Sequence, residues 1–188
     1  AMMAPPSLGG RPVTALLRVI DALCLVGAII AATATALLAG MLILEVFTIN
    51  LIAWSQPWSV EYGGYFLAAT LFSGSGWTLR QGGHIRVTIL TERLGPAGQR
   101  WADLATSVFA LGVAGFMAWS SIIFALRTLE RGSVSFYPTA TPLVFPQSLL
   151  AFSLILLALG LLARVIRLLR NDAPEVATAA AKPQEEFG

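Results

Sequence analysis

The stretch Ala22–Leu44, ALCLVGAIIAATATALLAGMLIL, runs for 23 residues without one Asp, Glu, Lys or Arg. A helix needs about 20 apolar residues to cross the hydrocarbon core of a bilayer. Two more windows repeat the pattern, Leu104–Leu126 and Gly132–Ala163, and a shorter one, Tyr62–Leu79, reaches that length with the uncharged residues before it. Helices of a soluble bundle keep a polar face for water, and these windows have none. Across the 188 residues only 12% are charged and 56% are hydrophobic, and mean hydropathy is +0.76. A soluble domain carries roughly twice that charged fraction. The expectation is an all-α integral membrane protein with four transmembrane helices.

Working outward from that stretch, residues 1–15 hold three prolines and two glycines and read as a flexible leader. Ala1-Met2-Met3 resembles an added start and is set aside. Ala32-Thr33-Ala34 resembles a cleavage site, but apolar sequence continues to Leu44, too far for a signal peptide. The four helices are expected at about 16–48, 57–79, 97–126 and 142–169, with Pro57 opening the second and Gly95-Pro96 the third. Between the second and third, Ile85, Ile89, Leu90 and Leu94 interleave with Arg86, Glu92 and Arg93. That pattern predicts a short amphipathic helix in the membrane interface, about 84–94. Residues 170–188, rich in Ala, Glu and Pro, read as a disordered tail.

Lys and Arg set the orientation. One side of the expected topology collects Arg11, Arg18, Arg80, Arg86, Arg93, Arg100, Arg164, Arg167, Arg170 and Lys182; the other has only Arg127 and Arg131. Ten against two, with an even number of spans, places both termini in the cytoplasm.

The residues exclude most chemistry. One histidine, His84, and one cysteine, Cys24, cannot build a paired-His haem site, a four-ligand zinc site or a dithiol centre. No phosphate-binding G-x-x-x-x-G-K-[ST] is present. The expectation is no enzyme, no cofactor, no metal and no nucleic-acid partner. Asp21, Glu45 and Glu61 all fall near helix ends and are expected at headgroup level, not at a midplane ion site. Small residues recur at helix-packing spacing: Ala32, Ala36 and Gly40; Gly63, Gly64, Ala68 and Ser73–Gly76; Gly112, Gly115 and Ala118. They are expected to serve packing within the chain, with a partner's helix as the alternative.

At the second helix, Trp58-x-x-Glu61, then Arg80, then His84-Ile85-Arg86-Val87, resembles the small membrane subunit, DctQ-like, of tripartite ATP-independent periplasmic (TRAP) transporters. Gly132-Ser133, Pro138 and Pro146 resemble that family's second outer loop. The resemblance covers about residues 15–170. Thr88 stands where the family commonly has an acidic residue, and Phe47–Asn50 offers no Arg where one is frequent. The resemblance implies a non-catalytic scaffold subunit in the bacterial inner membrane. It would pair with a large multi-span permease that carries the sodium and organic-acid sites, and help dock a periplasmic substrate-binding protein. On that view Arg80, His84 and Arg86 meet phospholipid phosphates or the partner's loops at the inner interface. Trp58 and Glu61 anchor the second helix at the outer face. Arg127, Glu130 and Arg131 are docking contacts for the binding protein. Two other readings stay in play: a self-contained homodimeric four-span transporter or channel, and a membrane redox enzyme.

Overall fold

The computed structural model describes residues 11–82 and 95–170, and in them the chain is helical apart from short connections. Five helices follow in order: α1 Arg11–Ile52, α2 Ser59–Ser73, α3 Ser75–Arg80, α4 Pro96–Arg131 and α5 Val144–Leu169. Three of them, α1, α4 and α5, are long and apolar enough to cross a membrane. The chain is an all-α membrane protein.

The helices are longer than the charge-free windows because polar residues of the flanks join the same ladders. α1 begins at Arg11, inside the expected leader, and runs to Ile52, past the expected end at Thr48. Its 42 residues rise about 63 Å, twice the hydrocarbon thickness. Pro96 sits in the first turn of α4, where its missing N–H costs nothing. That helix continues to Arg131, five residues beyond the charge-free window. Gly132 stops it at φ 59°, its N–H returning to Leu129 O. Pro146 lies in the first turn of α5 for the same reason as Pro96.

The second expected helix is broken at Gly74 into pieces of 15 and 6 residues. Ser75 Oγ donates to Phe72 O at 2.6 Å, and Thr78 Oγ1 to Gly74 O at 3.0 Å. Hydroxyls that bond back onto the ladder bend helices, as do Gly/Ser pairs. The short helix expected at 84–94 and the tail after Arg170 lie outside the described residues.

α5 is the centre of the assembly, touching every other helix, while α4 lies against α5. α1, α2–α3 and α5 meet at a tight crossing. A Cβ on Gly27 of α1 would overlap Ser73 O and Leu156 Cδ1; one on Gly76 would stand 3.0 Å from Cys24 Sγ and 3.1 Å from Leu156 O. Ser73 and Ser153 share a buried hydrogen bond of 2.8 Å at this crossing. Below it Leu17, Ile20, Cys24 and Ala163 form one core cluster; Leu79, Ala114 and Leu161 form another. The small residues Gly40, Gly64, Gly112 and Gly115 have no neighbour within 4 Å of an added Cβ. Among the described residues, close glycine packing therefore runs through Gly27, Gly63, Gly74, Gly76 and Gly160, and not through those four.

Successive segments alternate in direction. Asp21, Arg80, Arg100 and Arg167 gather at one end; Glu45, Glu61 and Thr139 gather at the other.

Candidate functional site

The basic end is built where α1, α3, α4 and α5 converge. Arg167, 6% exposed, donates from Nη2 to both oxygens of Asp21 at 2.7 and 2.6 Å. Arg80 Nε stands 3.5 Å from Asp21 Oδ1. One turn earlier on α5, Arg164, also 6% exposed, donates from Nε to Ser107 Oγ of α4 at 3.0 Å. Arg100 of α4 reaches Leu168 O near the end of α5 at 2.8 Å. A planar guanidinium suits such fixed bonds better than an ammonium does. These arginines carry the positive charge counted for orientation, but they also tie helices together. The sequence alone counts Arg164 and Arg167 only toward the charge that sets orientation. The available signal was their depth: both follow an uncharged run, and Asp21 lies at the matching depth on α1.

At the opposite end, each carboxylate expected to rest among headgroups is held by protein. Glu45 accepts from Ser55 Oγ at 2.7 Å and Gln56 N at 3.4 Å. That folds the α1–α2 connection back along the helix. Glu61, 2% exposed, accepts from Tyr65 Oη at 2.8 Å and from Thr139 Oγ1. The reason is shared: a polar side chain taken out of water needs hydrogen-bond partners from the protein. Trp58 is half-buried and packs edge-on to Tyr62, centroids 6.2 Å apart; Tyr62 meets Tyr65 the same way at 5.9 Å.

Thr139 belongs to a hairpin-like connection between α4 and α5. Val134 and Pro142 pair as an isolated bridge, Ser135 N donates to Thr141 O at 2.9 Å, and Leu143 N to Ser133 O at 3.1 Å. The segment expected to be the second outer loop is therefore ordered against α2. Phe136, at the tip, is fully exposed. Arg127, Glu130 and Arg131 lie exposed on the last turns of α4, beside this connection. Arg80 lies at the basic end, with Asp21; His84 and Arg86 fall outside the described residues.

Between α4 and α5 lies a groove of about 380 Å³ lined by Ser120, Ser121, Phe124, Gln147 and Leu150. Gln147 Oε1 is buried there without a hydrogen-bond partner among the described residues. Large apolar side chains stay exposed along α1 and α4, among them Phe109, Phe116 and Trp119.

Comparison with curated proteins and with solved structures returned no match. Comparison with protein families matched one described as "Tripartite ATP-independent periplasmic transporters, DctQ component", over residues 38–171. The matched span covers well over half of the chain, from within α1 through the end of α5; it takes in Glu45, Glu61 and Thr139 at one end and Arg80, Arg100, Arg164 and Arg167 at the other, but not Asp21. The chain belongs to the DctQ-component family, the small membrane component of TRAP transporters.

Proposed function

We propose that this chain is the non-catalytic scaffold subunit of a sodium-coupled TRAP transporter for organic acids, in the bacterial inner membrane. It pairs with a large permease that carries substrate and sodium, and it helps a periplasmic binding protein dock. Family membership supports this reading, and one observation carries it further. Asp21, Arg80, Arg100, Arg164 and Arg167 at one end and Glu45 and Glu61 at the other are each tied to another part of this chain, and large apolar side chains of α1 and α4 stay exposed. A protein that moved an ion or acid by itself would keep polar groups facing a path at mid-depth.

Four spans follow if α2 and α3 act as one. Ser59–Arg80 joined through Gly74 rises about 33 Å, enough for a core of about 30 Å. With ten cations at one end, both termini face the cytoplasm, and the stretch 84–94 lies as an interfacial helix on that side. There His84 and Arg86 meet phospholipid phosphates or the permease's loops. Arg80 adds its charge at the same level while it leans on Asp21.

Co-expression with candidate large permeases followed by detergent purification tests the assignment. Stoichiometric co-elution, together with uptake that requires both membrane chains, the binding protein and sodium, is the expected result. Substrate uptake by this chain alone in liposomes would overturn it.

A further inference from the structure

We propose that the groove between α4 and α5 is a socket for a transmembrane helix of the large permease, which fills it with a hydrogen-bond donor for Gln147. The inference rests on the scaffold reading above and names the surface through which the two membrane chains pair.

The groove reaches into the expected bilayer. α5 rises about 30 Å from Val144 to Arg164, the thickness of the hydrocarbon core. Gln147 and Leu150 occupy its first two turns, and Ser120, Ser121 and Phe124 line the opposite wall on α4. Both serines lie deeper than Arg127, by about 9 Å or more along the helix. The groove therefore runs from the first turn of α5 to below the headgroups, where water is scarce. Gln147 Oε1 is buried there with no hydrogen-bond partner among the described residues. In hydrocarbon such an acceptor is costly until a donor arrives.

The unpaired oxygen selects the occupant. Lipid chains match the apolar wall of Phe124 and Leu150 but carry no donor. A headgroup carries donors but does not descend to Ser120 and Ser121. A helix of another membrane chain brings an apolar surface together with a side-chain N–H or O–H, and such bonds join helices in lipid. The terminal torsion of a glutamine is broad, so the amide turns its oxygen toward the groove without moving α5. The surroundings suit a helix as well. Phe116, Trp119 and Phe124 are 60–70% exposed along α4, and among the described helices α4 touches α5 alone. The chain's family is one component of a tripartite transporter, so the occupant assigned is a different chain and not a second copy.

The chain co-purified with its permease in detergent, beside the isolated chain, is the test. Q147L removes the amide and keeps most of its bulk. It raises the melting temperature of the isolated chain, yet raises the concentration at which the complex half-dissociates about three- to tenfold. S120A/S121A weakens the complex in the same direction. A photoreactive benzophenone side chain in place of Phe124 crosslinks to the permease in membranes holding the full transporter. A Q147L complex as tight as the wild type overturns the proposal. Crosslinking only to lipid, or only to a second copy of this chain, reassigns the groove and also overturns it. So does a lower melting temperature of isolated Q147L, since the amide is then satisfied within the chain. A wild-type chain that binds no permease is a separate result, and it overturns the scaffold reading itself.

Discussion

Arg167 clamps Asp21 through one guanidinium nitrogen, Nη2, with bonds of 2.7 and 2.6 Å that join α5 to α1 across 146 positions of sequence. Arg167 is nearly buried, and the side chain of Asp21 is 31% exposed. Removing one member of a buried ion pair strands the other, at about 3–5 kcal/mol, whereas replacing both by apolar groups is often neutral. Partial exposure of Asp21 and the nearby Arg80 bring the expected cost of D21A to about 2–3 kcal/mol. R167M alone costs less, because the stranded carboxylate is the more exposed partner. The double variant D21A/R167M is expected to recover part of the loss. Thermal unfolding of the four proteins in detergent gives the coupling directly; strictly additive losses would mean that the pair is not coupled.

The three-helix crossing makes a different demand. Gly27 faces Ser73 O and Leu156 Cδ1 with no room for a Cβ, and Gly76 faces Cys24 and Leu156 nearly as closely. Overpacking such a site costs about 1–3 kcal/mol for a small insertion. G27A is expected to lower the melting temperature, and G27L to abolish recovery of folded protein. G40A and G64A, at sites with open space, should leave the isolated chain unchanged. Equal losses in G27A, G40A and G64A would mean that crowding at the crossing does not decide stability.

Much of this fold is written in residue type. Helix positions follow from charge-free windows, and Gly95-Pro96 and Gly132 mark the limits of α4. Helix lengths are less legible, because Arg11 and the segment Arg127–Arg131 extend α1 and α4 by ladder hydrogen bonds that hydropathy does not register. The break at Gly74 arises from Ser75 and Thr78 bonding back to carbonyls, a local geometry that a Gly/Ser cluster signals without fixing its place. Of the candidate site, Trp58 and Glu61 were visible as a pair at a helix start. Their partner Thr139 was not, since it lies 78 positions away in a loop with no charge to mark it. Spacing also points to Gly40, Gly112 and Gly115, where an added Cβ would meet nothing within 4 Å among the described residues, and passes over Gly27 and Gly160, where it would meet a neighbouring helix.

Gln147 lies in the groove between α4 and α5 with its amide oxygen buried and unpartnered among the described residues. An unsatisfied buried polar group costs about 1–3 kcal/mol, and its removal recovers that cost where an apolar side chain of similar size fits. Q147L is therefore expected to stabilise the isolated chain by about 1 kcal/mol. Thermal unfolding in detergent reads the sign. Destabilisation would mean that the amide makes a bond worth more than its burial costs.

Arg127, Glu130 and Arg131 stand exposed together on the final turns of α4, beside the hairpin that Glu61 holds. Arg127 and Arg131 are the only Lys or Arg residues expected on that side of the membrane. Exposed charges at the rim of an interface act on encounter, through long-range attraction that salt screens over about 8–10 Å. Reversing both, R127E/R131E, is expected to slow association of the binding protein about tenfold at low ionic strength and much less at high salt. Membrane expression should hold, because neither side chain is buried. Initial uptake rates at limiting binding protein, measured across a salt series, separate this from a structural effect. A loss independent of salt would point to contact geometry, and an unchanged rate at every ionic strength would remove these arginines from the docking surface.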